Sequence, residues 1–206
     1  MKKICCLLVG LLVGSVNAAP IVIDFDDLGP GVSVDGHYSG LGVTFVDATT
    51  NSFGGLPGGS APTAINHSTS GFVPQPSDPI EAIFSSLASS VSLTGLDVGN
   101  DGFILSAFDA VSGGNLLATE QIIGIGDGVG ASSTLMVAAT GIKRVEFSQV
   151  RDLPDGISDG IAFDNLSFVV DSSTPITPPS IPEPLTLGLF ALGLAGIGYS
   201  RKRKAK

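Results

Sequence analysis

Between residues 19 and 171, short apolar stretches recur and are separated by Gly, Asp, Asn, Ser and Pro. No window of this region has the periodicity of an amphipathic helix, whereas brief apolar runs bounded by turn-forming residues are typical of β-strands. The pattern predicts an all-β fold, a single jelly-roll-like β-sandwich over 19–171. The candidate strands are Ile21–Phe25, Gly42–Val46, Val91–Val98, Phe103–Asp109, Leu116–Ile123, Thr134–Ala138, Arg144–Ser148 and Gly160–Val170.

Two details of this pattern give more local expectations. Val91 and Leu93 alternate with polar residues, and the alternation changes phase at Gly95, which predicts a β-bulge there. The longest gap between candidate strands, from Asp47 to Pro79, is rich in Gly, Ser, Thr, Asn and Pro. This composition predicts a long surface excursion.

The N-terminus has the order of features found in a secretory signal peptide. Lys2 and Lys3 precede an apolar run over 4–13, which is too short for a permanent membrane span, and small residues follow. We expect export machinery to recognise residues 1–18 and signal peptidase to cut between Ala18 and Ala19. An uncleaved N-terminal anchor is the alternative. Both cysteines of the chain lie inside this signal, so the mature domain has no disulfide and depends on core packing.

The C-terminus combines three features in a fixed order. Residues 172–181 form a Ser/Thr/Pro linker, Pro182, Glu183 and Pro184 follow, and an apolar helix is expected over 185–199. At about 1.5 Å per residue such a helix covers roughly 22 Å, less than the hydrocarbon core of about 30 Å. A basic tail, 201–206, ends the chain and is expected to stay in the cytoplasm. Its stop residues are Arg201, Lys202, Arg203 and Lys204.

This triplet, short helix and basic tail over 182–206 resemble the PEP-CTERM sorting signal of exported proteins in Gram-negative bacteria that make exopolysaccharide. The resemblance implies processing by an exosortase-like membrane enzyme. The domain would then be anchored in the inner membrane only transiently, facing outward, before it reaches the cell surface or matrix. An ordinary tail anchor is the alternative. The stretches 23–28, 38–45, 105–117 and 160–168 also resemble β-sandwich ectodomains that have this signal, a similarity that implies a fold and no particular activity.

The charge of the chain is divided between its ends and its middle. Eighteen of the 19 acidic residues precede the triplet, whereas Lys143, Arg144 and Arg151 are the only basic residues between the two end segments. A surface this acidic repels nucleic acid and anionic lipid, so both are excluded as partners. It suits divalent cations or neutral sugars.

Two motifs resemble catalytic signatures by letters alone. Gly156-Ile157-Ser158-Asp159-Gly160 matches the nucleophile elbow of hydrolases, but a turn precedes it and a strand follows it. Residues 126–131 match a relaxed dinucleotide fingerprint, yet a predicted strand stands where a helix N-terminus is needed. We interpret both as turns or loops and predict that the protein is not an enzyme.

Carboxylates at the two ends of the domain form the main candidate ligand site, and the acidic loop with Asp152, Asp155 and Asp159 lacks the EF-hand spacing and carries less weight. Asp24 and Asp26 point to the same side of an extended chain, about 7 Å apart, and Asp27 follows them. Asp164 and Asn165 interrupt the last strand, and the first and last strands of a jelly roll often lie side by side. Calcium prefers six to eight oxygen ligands, so calcium binding by these five residues is one hypothesis. Strand-end caps and solubilising charge are the other.

These observations favour a non-catalytic structural or interaction protein of the cell envelope or extracellular matrix, associated with exopolysaccharide. The alternative is a calcium-dependent carbohydrate-binding module. A weaker alternative is a secreted hydrolase that uses paired carboxylates. The chain lacks tryptophan, and one tyrosine, Tyr38, lies in the domain, so aromatic platforms for sugar rings are scarce.

Overall fold

The computed structural model describes residues 18–68, 74–99, 102–123, 131–150 and 160–171. These residues form an antiparallel β structure with two short 3-10 helices, His37–Leu41 and Ser52–Gly55, and no α-helix. The strands are β1 (Ile21–Ile23), β2 (Val43–Val46), β3 (Ala48–Asn51), β4 (Ala64–His67), β5 (Ile80–Leu96), β6 (Phe103–Phe108), β7 (Leu116–Ile122), β8 (Ser132–Ser148) and β9 (Ala162–Val170). The all-β prediction is confirmed.

The described residues all belong to one compact unit of the chain, Met1–Ser172. Most of the signal peptide, the linker, the Pro-Glu-Pro triplet, the expected helix over 185–199 and the basic tail lie outside the described residues. Within the described ranges, no helix has the length and apolar character needed to cross a membrane.

The strands join in the order β3-β4-β9-β5-β8-β6-β7, with β1 added to β9 and β2 added to β5. β5 and β8 are the longest strands, with 17 residues each, and different parts of β5 pair with different strands. The start of β5 pairs with β2 and with the end of β8, and its second part pairs with β9 and with the beginning of β8. Register shifts on both sides of Ala88 separate the two parts of β5. The long strands therefore contribute to two different groups of neighbours.

Phenylalanine rings pack these two groups against each other. The ring centroids of Phe84 and Phe168 are 4.9 Å apart, and those of Phe147 and Phe163 are also 4.9 Å apart. Phe103 contacts Phe163 at 5.1 Å. All five side chains are buried. Because the domain has no tryptophan and no disulfide, these phenylalanine contacts supply much of the apolar burial that stabilises it.

Two predictions about the strands are wrong. The segment from Asp47 to Pro79 contains β3 and β4 and is no simple surface excursion. All four residues of β4 are buried, including the polar Asn66 and His67, which is why the strand lacks an alternating pattern. The predicted bulge at Gly95 is also absent, because Gly95 pairs regularly with Ser133 and Phe163. A Cβ at Gly95 would lie 2.9 Å from the ring of Phe103, so close packing requires the glycine.

Arg144 is a buried cation at the pairing of β5 and β8. Its guanidinium donates to the carboxylates of Glu81 and Glu146 and to the carbonyl of Gly113. It also lies 4.6 Å from the ring centroid of Phe108. Glu81 and Glu146 occupy opposite positions on the paired strands, so Arg144 neutralises two like charges that the register brings together.

Candidate functional site

The acidic strand-end cluster, which comprises Asp24, Asp26, Asp27, Asp164 and Asn165, lies where the first and last strands meet. β1 pairs antiparallel with β9, and Ile23 is opposite Leu166. The prediction that these two strands are neighbours is confirmed. Beyond this pair, the Ser60 hydroxyl contacts both the Asp24 carbonyl oxygen and the Asp164 carboxylate, so the segment after β1 lies beside Asp164.

A β-bulge in β9 determines the position of Asp164. On β5, Ser92 and Thr94 are two residues apart, but their partners on β9, Ser167 and Asp164, are three residues apart. The extra residue therefore belongs to β9, and Asn165 takes a left-handed φ of 52° within it. Asparagine tolerates this conformation better than most residues. The interruption expected at Asp164 and Asn165 is thus a bulge inside a strand that continues to Val170.

The segment after β1 turns and is not extended, which corrects the predicted geometry of Asp24 and Asp26. The strand ends at Ile23, and Phe25 has a left-handed φ of 59°. The backbone amide of Asp26 donates to the Asp24 carboxylate at 3.3 Å, as in an Asx-turn. A same-side spacing based on an extended strand does not apply here.

The loop between β3 and β4 covers Asp164. The Asp164 carboxylate accepts hydrogen bonds from the Ser60 amide at 2.7 Å, from the Ser60 hydroxyl at 3.1 Å and from the Asn165 amide at 2.6 Å. A Cβ at Gly59 would lie 3.0 Å from this carboxylate and 2.5 Å from the Gly54 carbonyl oxygen, so the close approach of the loop requires a glycine. Asp164 is fully buried.

The remaining carboxylates also have partners within the domain. Asp26 accepts from the Thr63 amide at 2.9 Å. Asp27 accepts from the Tyr38 hydroxyl at 2.6 Å and contacts the His37 ring at 2.9 Å. The Tyr38 hydrogen bond and then the His37 contact hold the pKa of Asp27 below its usual value, because both stabilise the ionised carboxylate. Tyr38 itself is buried, and its pKa is raised by burial and by Asp27.

Burial has the opposite effect on Asp164. It raises the pKa of this carboxyl to about 6, although the hydrogen bonds from Ser60 and Asn165 favour the ionised form. The negative charge of Asp26 raises the pKa further. The Ser60 hydroxyl contacts both the Asp164 carboxylate at 3.1 Å and the Asp24 carbonyl oxygen at 3.2 Å, so Asp164 lies beside the segment that follows β1. A calcium ion shared by the five residues of the cluster stays a prediction.

We expect Asp164 to make the domain less stable as pH rises towards neutrality. Its pKa of about 6 exceeds the ordinary 3.8, so its contribution is complete below pH 3.8 and is lost as pH rises through 6. The loss should reach at most roughly 3 kcal/mol, which corresponds to about two pKa units. Urea unfolding of the wild type and of Asp164→Asn across this range measures it. Parallel pH profiles for the two proteins would contradict the assignment.

This arrangement acts first as a set of hydrogen-bond acceptors that attach the β3–β4 loop to β1 and β9. The oxygens that calcium would need already accept from Ser60, Thr63, Tyr38 and Asn165. Calcium binding by the cluster therefore stays a prediction, and it requires these hydrogen bonds to rearrange.

A second group of side chains was not predicted from the sequence. Asp47, His67 and Asp78 place possible metal-ligand atoms within 4.8 Å of one another. Asp47 also lines a cavity of about 380 Å³, together with Asp35, Phe45 and Ser68. The three residues are 20 and 11 positions apart, and no ligand-spacing motif connects them. They lie in or beside the segment expected to be a surface excursion, so the sequence offered no signal for the group.

Residues 180–204 match the family model for the PEP-CTERM protein-sorting motif. The match includes Pro182, Glu183 and Pro184 and most of the basic tail. It confirms the resemblance inferred from the C-terminal residues and indicates an exported protein that a sorting system handles. The match covers the C-terminal segment and says nothing about the β-domain.

Three solved structures are similar to parts of the chain. One is a Bacillus subtilis glycoside hydrolase family 43 arabinoxylan arabinofuranohydrolase, with a TM-score of 0.40, 19% identity and coverage of 60% of this chain. Another is the K3 cleaved adhesin domain of Lys-gingipain from Porphyromonas gingivalis, with a TM-score of 0.41, 16% identity and coverage of 76%. The third contains the CBM22-1 and GH10 modules of a Clostridium thermocellum xylanase, with a TM-score of 0.35, 10% identity and coverage of 71%.

The chain spans 24% of the length of the first of these structures, 99% of the second and 28% of the third. All three TM-scores are below 0.5, so these similarities do not support an argument about the activity of this chain. A search of curated proteins found no similar sequence.

Proposed function

We propose that the chain is an exported envelope or matrix protein, sorted by an exosortase-type system, with a non-catalytic structural or interaction role associated with exopolysaccharide. The sorting motif at residues 180–204 is the observation that carries this proposal. The functional unit is a jelly-roll-like β-sandwich ectodomain, released or transferred from the inner membrane after processing.

Features of the β-domain support a role that does not involve catalysis. Asp164, whose pKa is raised, is fully buried and therefore cannot touch a polysaccharide in this conformation. Tyr38 is buried, and its hydroxyl bonds to Asp27, so this ring provides no stacking platform. The acidic surface avoids anionic polymers and lipids and favours neutral sugars or cation-bridged contacts.

Fractionation of the native host tests the destination and the partner together. An antibody to the β-domain should detect it in the surface or matrix fraction of wild-type cells, without residues 201–206. In a strain that cannot make exopolysaccharide, we expect the same processed domain in the culture medium. Full-length protein that stays in the inner membrane of both strains would overturn the proposal.

The second candidate function is calcium-dependent carbohydrate binding. The observation that favours it is that the segment after β1 lies beside Asp164, since the Ser60 hydroxyl contacts both the Asp24 carbonyl oxygen and the Asp164 carboxylate. Calcium bound only to the folded state should raise the melting temperature. Asp164→Ala should abolish that rise, and so should Asp24→Asn, which changes an exposed residue and is the safer variant for folding.

Asp109→Asn is the matched control for this test, because Asp109 is an exposed carboxylate that bonds to Asn115 away from the cluster. A glycan array with and without calcium then identifies a sugar ligand. Identical melting curves in calcium and in chelator would leave these carboxylates as structural acceptors.

A further inference from the structure

Asp47, His67 and Asp78 come together from three separate segments of the chain. Asp47 lies between β2 and β3, His67 ends β4, and Asp78 lies in the turn before β5. The Nε2 atom of His67 is 3.4 Å from the Oδ2 atom of Asp78. Within the described ranges, this is the one group whose three His, Cys, Asp or Glu ligand atoms all lie within 4.8 Å of one another.

The backbone fixes the relative positions of these ligands. Ala48 pairs with His67 across β3 and β4, and the Ser68 amide donates to the Asp47 carbonyl oxygen at 2.9 Å. Asp47 is the single residue between β2 and β3, and its left-handed φ of 60° turns the chain there, beside His67. In the third segment, the Asp78 amide donates to the Gln75 carbonyl oxygen at 3.0 Å, which closes the turn that contains Asp78.

Burial differs among the three ligands in a way that suits an ion-binding site. The His67 side chain has no exposed surface, so its ring orientation is fixed by packing. The Asp78 side chain is 51% exposed, and Asp47 lines the cavity of about 380 Å³. The His67 ring is thus held in place by packing, whereas the Asp78 carboxylate is accessible from solvent.

We propose that Asp47, His67 and Asp78 bind one divalent transition-metal ion of the zinc class. Four ligands at about 2.0–2.2 Å around a tetrahedral ion are themselves about 3.4 Å apart. The distance from His67 to Asp78 has this value. An imidazole with two carboxylates suits zinc and similar ions, whereas calcium prefers oxygen ligands alone. Three protein ligands leave a fourth position for water.

This site is independent of the acidic strand-end cluster and of the role in the matrix. Its structural alternative is a histidine that pairs with Asp78 and binds no ion. The chain contains two histidines, His37 and His67, so histidine variants can distinguish this site from any other imidazole ligand. Asp35 lines the same cavity as Asp47 but is outside the ligand group, and it supplies a matched carboxylate control.

The test is a zinc chloride titration of the full chain by calorimetry, in mild detergent and after removal of metals with chelator. The protein has a histidine-free affinity tag, and Cys5 and Cys6 are replaced by serine so that no thiol binds zinc. We expect one zinc per chain. His67→Ala should abolish binding, Asp78→Asn should weaken it at least tenfold, and His37→Ala and Asp35→Asn should leave it unchanged.

Asp78→Asn keeps the test decisive if His67→Ala fails to fold, because Asp78 is half exposed. Cobalt substitution adds a second measurement, since tetrahedral cobalt absorbs visible light and this absorption should disappear in Asp78→Asn. Saturation with calcium chloride beforehand should leave the zinc titration unchanged, because calcium prefers oxygen ligands alone. Equal zinc affinity in wild type and Asp78→Asn, or a loss caused by His37→Ala, would overturn the proposal.

Discussion

Replacement of Arg144 with methionine is expected to lower the free energy of unfolding of the β-domain by about 3 kcal/mol. Methionine retains most of the apolar packing against Phe108 but leaves Glu81 and Glu146 opposite each other without a cation. Both glutamates are about three-quarters buried, so solvent screens their repulsion only in part. Urea unfolding of the full chain, followed by the circular dichroism of the sheet, measures the change.

Removal of the two glutamate charges that Arg144→Met leaves unneutralised should restore stability. In the Arg144→Met background, Glu81→Gln together with Glu146→Gln should recover more than half of the loss, because two neutral amides replace the facing carboxylates. Lys143→Met removes the same charge one residue away, where the ammonium bonds to the carbonyl oxygens of Phe84 and Ser85. That control should cost about 1 kcal/mol. A wild-type unfolding curve for Arg144→Met would contradict the role given to this pair of charges.

Several strands could be predicted because their own residues contain the signal. In β6, every second residue from Phe103 is buried, so the alternation visible in the sequence reflects one buried face. β1 and β2 also coincide with predicted strands, apart from one or two residues at their ends. β8 was predicted as two pieces, because Thr140 and Gly141 interrupt its apolar pattern where the register with β5 shifts.

β4 was missed because tertiary contacts make it a strand. Its residues have no apolar alternation, as the sequence Ala64, Ile65, Asn66 and His67 shows. The strand is nevertheless fully buried and pairs with β3 at one edge and with β9 at the other. The bulge was misplaced for a related reason. The apolar phase changes near Gly95 because residues 93–96 are buried on both faces, and the extra residue belongs to the partner strand at Asn165.

The candidate site was predicted in part. The neighbouring positions of the first and last strands followed from the expected topology. The left-handed turn at Phe25 and the insertion of Ser60 against Asp164 depend on how the β3–β4 loop folds back. Asp47, His67 and Asp78 meet only because separate segments of the chain pack together, and no local sequence pattern predicts such contacts.

Replacement of Pro182, Glu183 and Pro184 by alanine is expected to retain the full-length protein in the inner membrane. These residues lie inside the matched sorting motif, residues 180–204. Proline has a fixed φ and restricts the preceding residue to extended conformations, so we expect the triplet to keep Glu183 outside the helix expected over 185–199. An extended stretch is accessible to a processing enzyme, whereas three alanines favour continuation of the helix.

The variant should enter the membrane normally, because the apolar segment 185–199 and the basic tail are unchanged. Processing alone should fail, which raises the full-length fraction from nearly none to nearly all. Pro178→Ala with Pro179→Ala is the matched control, since it removes two linker prolines outside the matched motif and should be processed as in the wild type.

Fractionation of the native host and mass spectrometry of the C-terminus distinguish a sorting segment from a permanent anchor. The helix expected over 185–199 contains glycines at 188, 193, 196 and 198 and would be a weak anchor, so processing near the triplet should release the wild-type domain on its linker. If wild-type protein retains Arg201–Lys206 in the inner membrane, or if the alanine variant is processed normally, the triplet is not a recognition element. The C-terminal segment would then act as a simple tail anchor, and the acidic β-domain would function at the membrane surface.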